Sequence, residues 1–375
     1  MEVPNRPRPV HPGIRIALVI GLVFVFLVAV KLVGSTFKEL GEGDAEALLQ
    51  GIRNPFAALS IGILATVIVQ SSSATTAMIV LIVSEGQMPI EIAVYAIMGC
   101  NIGTTVTNTL VSMGHIRQAS EFQRAFAGAT MHDFFNLMAI AILMPIEMTT
   151  GIIYRTAVAT TGAVEGWTGG TFESPIKTIV GSTANPIKDF VFHDLGLSSA
   201  LAGTLALAIA VTLVFVALVY ITRNMRALMA NRLEQSLNAV LAKSGVLSIV
   251  VGAVATVSVQ SSSITTSLMI PLFGAGILRL ENGFPVTIGA NIGTTVTAFI
   301  AALAGNVAGL TIATVHLLFN LTATLIIYPF PVLRNIPLRL ARGLALRAST
   351  DRRIVLYYVI GVFVVAPLIG VWLFN

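Results

Sequence analysis

Charge is scarce in this chain. Of 375 residues only 10% are Asp, Glu, Lys or Arg, and mean hydropathy is +0.89. A soluble domain carries about a quarter charged residues, so a soluble globular class is excluded. Cysteine is scarcer still: Cys100 stands alone, which rules out an internal disulfide framework. It reads as a small buried residue in a membrane setting. With one cysteine and five histidines spread along the chain, there is no Cys/His cluster to hold a transition metal. The net charge of +5 does not imply a nucleic-acid partner. The arginines sit between apolar segments, where positive-inside anchoring accounts for them.

What fills the chain instead is long apolar runs. Residues 14–34, 198–220 and 354–374 each supply the roughly 20 apolar residues that cross a bilayer. The first is too long for the h-region of a signal peptide and has no small-x-small site after it, so it is expected to be a retained span. A multi-pass protein in a lipid bilayer follows.

Loop charge orders the spans. Arg6, Arg8 and Arg15 place the N-terminus in the cytoplasm. The acidic segment 35–54 is expected outside, and the basic segments 223–243 and 334–353 inside. The last span then leaves the C-terminus outside. The expected organisation is a cytoplasmic 1–13, a first repeat 14–148, an extracytoplasmic linker 149–197, a second repeat 198–330, a basic cytoplasmic segment 331–353 and a terminal span 354–375.

The repeats rest on motifs. QSSSATT at 70–76 returns as QSSSITT at 260–266, and GCNIGTTVTN at 99–108 returns as GANIGTTVTA at 289–298. The offset is 190 residues for both, and 31 residues separate Gln from Asn in each copy. HDFFN at 132–136 matches HLLFN at 316–320. The first copy follows an outside segment and the second an inside one, so the repeats are expected to be inverted, the arrangement that alternating access uses.

The apolar arms beside each QSSS (55–69 and 74–84, then 246–259 and 264–274) span about 16–22 Å as helix, too short to cross roughly 30 Å of hydrocarbon. Each pair is therefore read as a re-entrant hairpin with QSSS at its tip. Segment 89–113 is read as a crossing interrupted at NIGTT, with its counterpart interrupted at Gly293, Thr294 and Thr295. Segments 120–148 and 307–328 are ordinary spans. The predicted fold is an all-α polytopic membrane protein of inverted repeats, each with a span, a hairpin, a broken helix and a further span, plus one extra C-terminal span.

A hairpin tip frees backbone groups that a bilayer cannot satisfy, so a tip is a ligand site or a defect. Hydroxyls both donate and accept. Set beside the N-terminus of a half-helix they form an anion cradle with no fixed charge. Ser71, Ser72, Ser73 and Thr75, with Ser261, Ser262, Ser263 and Thr265, are the candidate anion ligands. The amide, hydroxyl and carbonyl oxygens of Gln70, Gln260, Asn101, Thr104, Thr105, Asn291, Thr294, Thr295, Asn136 and Asn320 suit a hard cation such as Na⁺. The alternative use of such residues is helix–helix packing. His132 and His316 read as structural. Asp133, an acid at membrane depth without a match in the second copy, is a functional candidate or a partner for Arg124.

QSSS twice, NIGTTVTN, EFQRAFAGATMHDFFN (121–136) and ANIGTTVTAFIAALA resemble the type II sodium–phosphate cotransporters over about 55–150 and 245–330. The resemblance implies Na⁺-driven uptake of inorganic phosphate between the two QSSS hairpins, with co-transported sodium ions near the NIGTT segments and Asn136. It also exposes departures. Gln118 stands where electrogenic members carry an acid, which points to loss of the charge-coupled Na⁺ site. The cystine-linked outer loop of animal members is impossible with one cysteine, so a prokaryotic inner membrane is the expected location.

Other readings stay open. Hydroxyl cradles also suit another small anion such as a dicarboxylate. A channel would want a continuous polar pore. An intramembrane hydrolase would need a base near its nucleophile, and neither QSSS–NIGTT unit contains His, Lys or Asp. Monomer and homodimer are both compatible with the sequence.

Overall fold

The computed structural model describes residues 11–40, 54–168, 175–240 and 245–374. The expectations for residues 1–10, for Glu42, Asp44 and Glu46, and for Lys243 lie outside the described residues.

Every regular element among the described residues is a helix. The first half contains α1 (Pro12–Leu40), α2 (Pro55–Val69), α3 (Ser72–Ser84), α4 (Ile90–Gly103), α5 (Val106–Ser112) and α6 (Ala119–Thr150). Two helices follow, α7 (Ile152–Thr168) and α8 (Pro175–Asp189). The second half contains α9 (Ser199–Val240), α10 (Val246–Val259), α11 (Ser262–Ser267), α12 (Ile270–Gly274), α13 (Leu280–Ala302) and α14 (Val307–Ile327). The chain closes with α15 (Pro331–Thr350), α16 (Arg353–Ile360) and α17 (Ala366–Phe374), the last two joined by a π-turn into one span. Among the described residues seven helices are long and apolar enough to cross a membrane. The NIGTT helices are the innermost, 78% buried in each half, and the last span is the most peripheral at 17%.

Both QSSS segments turn a helix back on itself. α2 starts at the Asn54–Pro55 signal, where the Asn54 side chain accepts from Phe56 N at 2.8 Å, and it ends at Gln70. There α3 begins at once, capped by Ser71. The pair α10 and α11 repeats this about Gln260. Each outgoing arm packs directly on its NIGTT helix, backbone against backbone. A Cβ on Gly62 would stand 2.1 Å from the Ala96 carbonyl oxygen, and one on Gly99 2.1 Å from that of Leu59. The same pairs recur 190 residues on: Gly252 on the Val286 carbonyl at 2.1 Å, and Gly289 on the Ile249 carbonyl at 1.9 Å. Small residues let membrane helices approach to this distance.

The bases of the two hairpins sit at opposite ends of α13, a helix about 35 Å long by its rise. At its start, the second hairpin ends on Gly274, whose carbonyl accepts from Arg124 Nε and Nη2 at 2.9 and 2.6 Å. At its far end, Asn306 Nδ2 donates to the carbonyl of Ser84, the last residue of α3, at 2.7 Å.

The halves are not identical. The first NIGTT helix is interrupted at Thr104 and Thr105, as expected, but α13 runs unbroken through Gly293, Thr294 and Thr295. The sequence-based expectation of a second break is corrected. Both threonine hydroxyls fold back, Thr105 onto the Ile102 carbonyl at 3.1 Å and Thr295 onto that of Ile292 at 2.7 Å. A buried acid separates the two cases, since Asp133 also accepts from Thr105 whereas Leu317 stands at the matching place. The return arm of the second hairpin, expected as one piece, is split before Pro271, which cannot continue the ladder to Ser267. The 149–197 stretch is helical where described. α7 packs on α14 through buried Ala157 and a Thr161–Thr311 hydroxyl pair at 3.0 Å. The basic 223–240 stretch continues α9 as helix.

Replacing Gly289 with Val is expected to force α10 from α13 and to destabilise the fold by at least the roughly 1–3 kcal/mol typical of overpacking. Gly162→Ala, which meets nothing within 4 Å, is expected to leave stability unchanged. Thermal unfolding of the detergent-solubilised protein checks both. Equal melting of Gly289→Val and wild type overturns the contact.

Candidate functional site

Each tip is built from the heptad's own side chains. Gln70 and Gln260 adopt the left-handed conformation, with φ of 55° and 54°, which is uncommon outside glycine. Their amides make it tenable. Gln70 Nε2 donates to the Val67 carbonyl, and Gln260 Nε2 to that of Val257 at 2.7 Å, serving carbonyls that the ending helix leaves open. The Gln oxygens accept from Thr107 at 3.3 Å and Thr297 at 3.2 Å. Ser71 and Ser261 then cap the next helix, accepting from Ala74 N at 3.2 Å and Ile264 N at 3.3 Å. Thr75 and Thr265 are buried and return to the Ser71 and Ser261 carbonyls at 3.0 and 3.3 Å.

The tips meet across one cavity of about 460 Å³. Gln70, Ser71, Ser72 and Ser73 line it from one half, and Gln260, Ser261, Ser262 and Ser263 from the other. That volume suits a small ligand. Among the described residues, no intramolecular hydrogen bond engages the hydroxyls of Ser72, Ser73, Ser262 or Ser263. The remaining wall is α9, through Phe215, Leu218, Val219, Thr222, Arg223 and Arg226. Ser72, Ser73 and Ser262 are buried while Arg223 and Arg226 are exposed, so the cavity grades from a neutral floor to a cationic entrance. Sequence reasoning treated these arginines as topological anchors. Their i, i+3 spacing, which shares one helix face, was the signal available.

The candidate cation ligands divide into groups. The two glutamines lie at the cavity. Asn101, Asn136, Asn291 and Asn320 lie apart from it, buried between the halves and bonded to one another. Asn136 Nδ2 donates to the Asn101 carbonyl at 2.8 Å, and Asn320 Nδ2 to the Asn291 carbonyl at 3.1 Å, the same bond in both halves. Asn291 Nδ2 donates to Asn136 Oδ1 and Asn320 Oδ1 at 3.0 and 3.2 Å, and Asn101 Nδ2 to Asn320 Oδ1 at 3.3 Å. His316 Nε2 reaches Asn101 Oδ1 at 3.3 Å. Thr104 and Thr294 bond the carbonyls of Cys100 and Ala290 at 3.2 and 3.0 Å within their own helices. Thr105 joins Asp133, whose other oxygen accepts from Tyr358 OH at 2.7 Å. Asp133 is thus paired with the terminal span, while Arg124 is spent on Gly274. Among the described residues no group of three His, Cys, Asp or Glu side chains is arranged to hold a metal.

One cross-link between halves has no counterpart. Asn108 donates to Thr266 Oγ1 at 2.9 Å and accepts from Ser267 at 2.9 Å, fastening the second hairpin to α5. The matching residue in α13 is Ala298.

These features define a multi-pass α-helical membrane protein whose duplicated polar tips face a shared cavity. The chain belongs to the Na⁺/Pi-cotransporter family, whose model matches residues 25–163 and 213–332. It is 31% identical to sodium-dependent phosphate transport protein 2A of Rattus norvegicus, an alignment covering 94% of this chain and 67% of the rat protein. It is 30% identical to sodium-dependent phosphate transport protein 2B of Homo sapiens, covering 94% and 64%. No solved structure matches the chain. The family is one of transporters, not enzymes.

Asn291→Ala removes the donor that serves both Asn136 Oδ1 and Asn320 Oδ1. An unsatisfied buried acceptor costs about 1–3 kcal/mol, so a lowered midpoint of thermal unfolding is expected. Unchanged stability would show that the four asparagines do not hold the halves together.

Proposed function

We propose that this protein carries inorganic phosphate across the membrane together with Na⁺, binding phosphate between the two QSSS tips. Family membership supports the sodium–phosphate pairing, and both related proteins are named as sodium-dependent phosphate transporters. One observation carries the location: serine hydroxyls from both halves face one cavity and are engaged by no other described residue. Phosphate offers acceptor oxygens and, when singly protonated, a donor, so hydroxyls that play both parts match it. A floor without fixed charge holds an anion loosely enough for release.

Arg223 and Arg226 complete the arrangement at the entrance. They raise the local anion concentration through their field, while the buried serines make the close contacts. The sodium ions are cargo. Oxygens of the tips and of the NIGTT helices are the proposed ligands, and the charge they bring offsets that of phosphate. If Na⁺ tightens phosphate, phosphate tightens Na⁺ by the same factor.

The two hairpin bases at opposite ends of α13 support an inverted repeat, and with it alternating access. Arg15 Nη1 lies 3.4 Å from Asn224 Oδ1, beside Arg223, so the cationic entrance shares a face with the N-terminal end of α1. By the positive-inside rule that face is the cytoplasmic one and the conformation open inward; the inner membrane is proposed from the lack of a cystine-linked outer loop.

Uptake of radiolabelled phosphate into proteoliposomes is expected with external Na⁺ and not with choline or Li⁺. Ser72→Ala and Ser262→Ala are each expected to lower it by about tenfold or more, since a hydrogen bond to a charged group contributes roughly 1.5–3 kcal/mol. Normal transport by both variants would remove the serine site. Preference for a dicarboxylate over phosphate in competition would change the substrate and leave the cavity in place.

The arginines have a different expected signature. Arg223→Gln with Arg226→Gln should weaken apparent affinity for phosphate presented on the cytoplasmic face at low ionic strength and approach wild type in high salt, where exposed charge is screened. A salt-independent defect would place the arginines in direct contact with the substrate.

A further inference from the structure

A second cavity, also about 460 Å³, lies at the base of the second hairpin, between α6, the start of α13 and α15. It is remote from the serine tips and shares no lining residue with them. Its two halves differ in chemistry. Leu280 and Leu346 give it an accessible apolar side, over buried Phe273 and Leu278, while Arg124, Arg279 and Arg342 bring three guanidinium groups to the rim against one carboxylate, Glu281. Arg124 is engaged by the Gly274 carbonyl. Glu281 is shared: it pairs with Arg342 and lies 3.9 Å from Arg279 Nε. The side chain of Arg279 is 78% exposed, so the cationic rim is open to a ligand.

The cavity's depth narrows the occupant. It sits where α6 and α13 begin, at the end of the apolar layer, under a basic helix that also carries Arg334, Arg339 and Arg347. Clustered arginine at that level attracts anionic headgroups. A free inorganic anion would satisfy the guanidinium groups and leave the accessible leucines, Leu280 and Leu346, uncovered. A neutral apolar molecule would do the reverse. Only an amphiphile with an anionic head matches both halves.

We propose that this cavity is a binding site for an anionic phospholipid, its phosphate on Arg279 and Arg342 and an acyl chain along Leu280 and Leu346. The lipid would add to a junction where α6 already packs on α15 through Phe122, Phe126, Ala345 and Ala348, and on the base of the second hairpin through Phe273. Glu281 opposes the headgroup, because it competes for Arg342.

The test is native mass spectrometry of the delipidated full-length protein, titrated with phosphatidylglycerol or with phosphatidylcholine of the same chains. Wild type is expected to prefer phosphatidylglycerol. At about 1 kcal/mol per arginine near a membrane surface, the Arg279→Gln, Arg342→Gln double variant should lose roughly thirty-fold in that preference. Glu281→Gln should bind phosphatidylglycerol more tightly than wild type, a gain that a misfolded variant would not show. Equal binding of the two lipids by wild type, or an unchanged preference in the double variant, overturns the site. Displacement of the lipid by an equal concentration of inorganic phosphate would also overturn it and assign the cavity to a free anion. The readout is binding, so it stands or falls separately from transport.

Discussion

A backbone that reverses direction inside a bilayer has no water to take up its open carbonyls and amides. Everything distinctive here follows from how that problem is solved at Gln70 and Gln260. The side-chain amide folds onto a carbonyl of the helix that is ending, the next serine receives an amide of the helix that is starting, and a threonine from the NIGTT helix holds the glutamine oxygen. With the backbone satisfied locally, the second and third serines of each tip face the cavity. The tip is polar on its outer side because its inner side is complete.

The glycine contacts govern how the tips are aimed. Gly62 and Gly99, and Gly252 and Gly289 after them, let each outgoing arm lie on its NIGTT helix at backbone distance. Hairpin and helix then form one body in each half, and the asparagine network holds the two bodies together. The asymmetries are superimposed on this shared plan. Asn108 fastens only the second hairpin, and Asp133 accompanies a break only in the first NIGTT helix. Duplication set the scaffold, and single residues made the halves unlike.

Much of this was legible in the sequence. Arm length placed the helix ends beside each QSSS within a few residues, and the 190-residue offset of the motifs is matched by hydrogen bonds and glycine contacts at the same offset. What was hidden is non-local or conformational. The identical NIGTT pentads differ in continuity, and only the first has an acid bonded to it, 28 residues beyond Thr105. The left-handed turn at Gln70 carries no glycine to announce it. Arg223 and Arg226 read as loop charge because charge counting does not reveal that a helix continues through them and shows one face to the serines. Asparagine in an apolar run is equally compatible with a cation and with another asparagine, and here the partners lie 35 and 29 positions away within the first and second halves and more than 150 positions away between the halves.

The Asp133–Tyr358 bond carries a consequence for how the protein is made. Both halves, with their tips and asparagines, have left the ribosome by residue 330, yet the Asp133 carboxylate still lacks one of its two donors. That donor arrives 225 residues later, on the last span. Insertion of the span that carries Tyr358 therefore completes a polar contact deep in the first half.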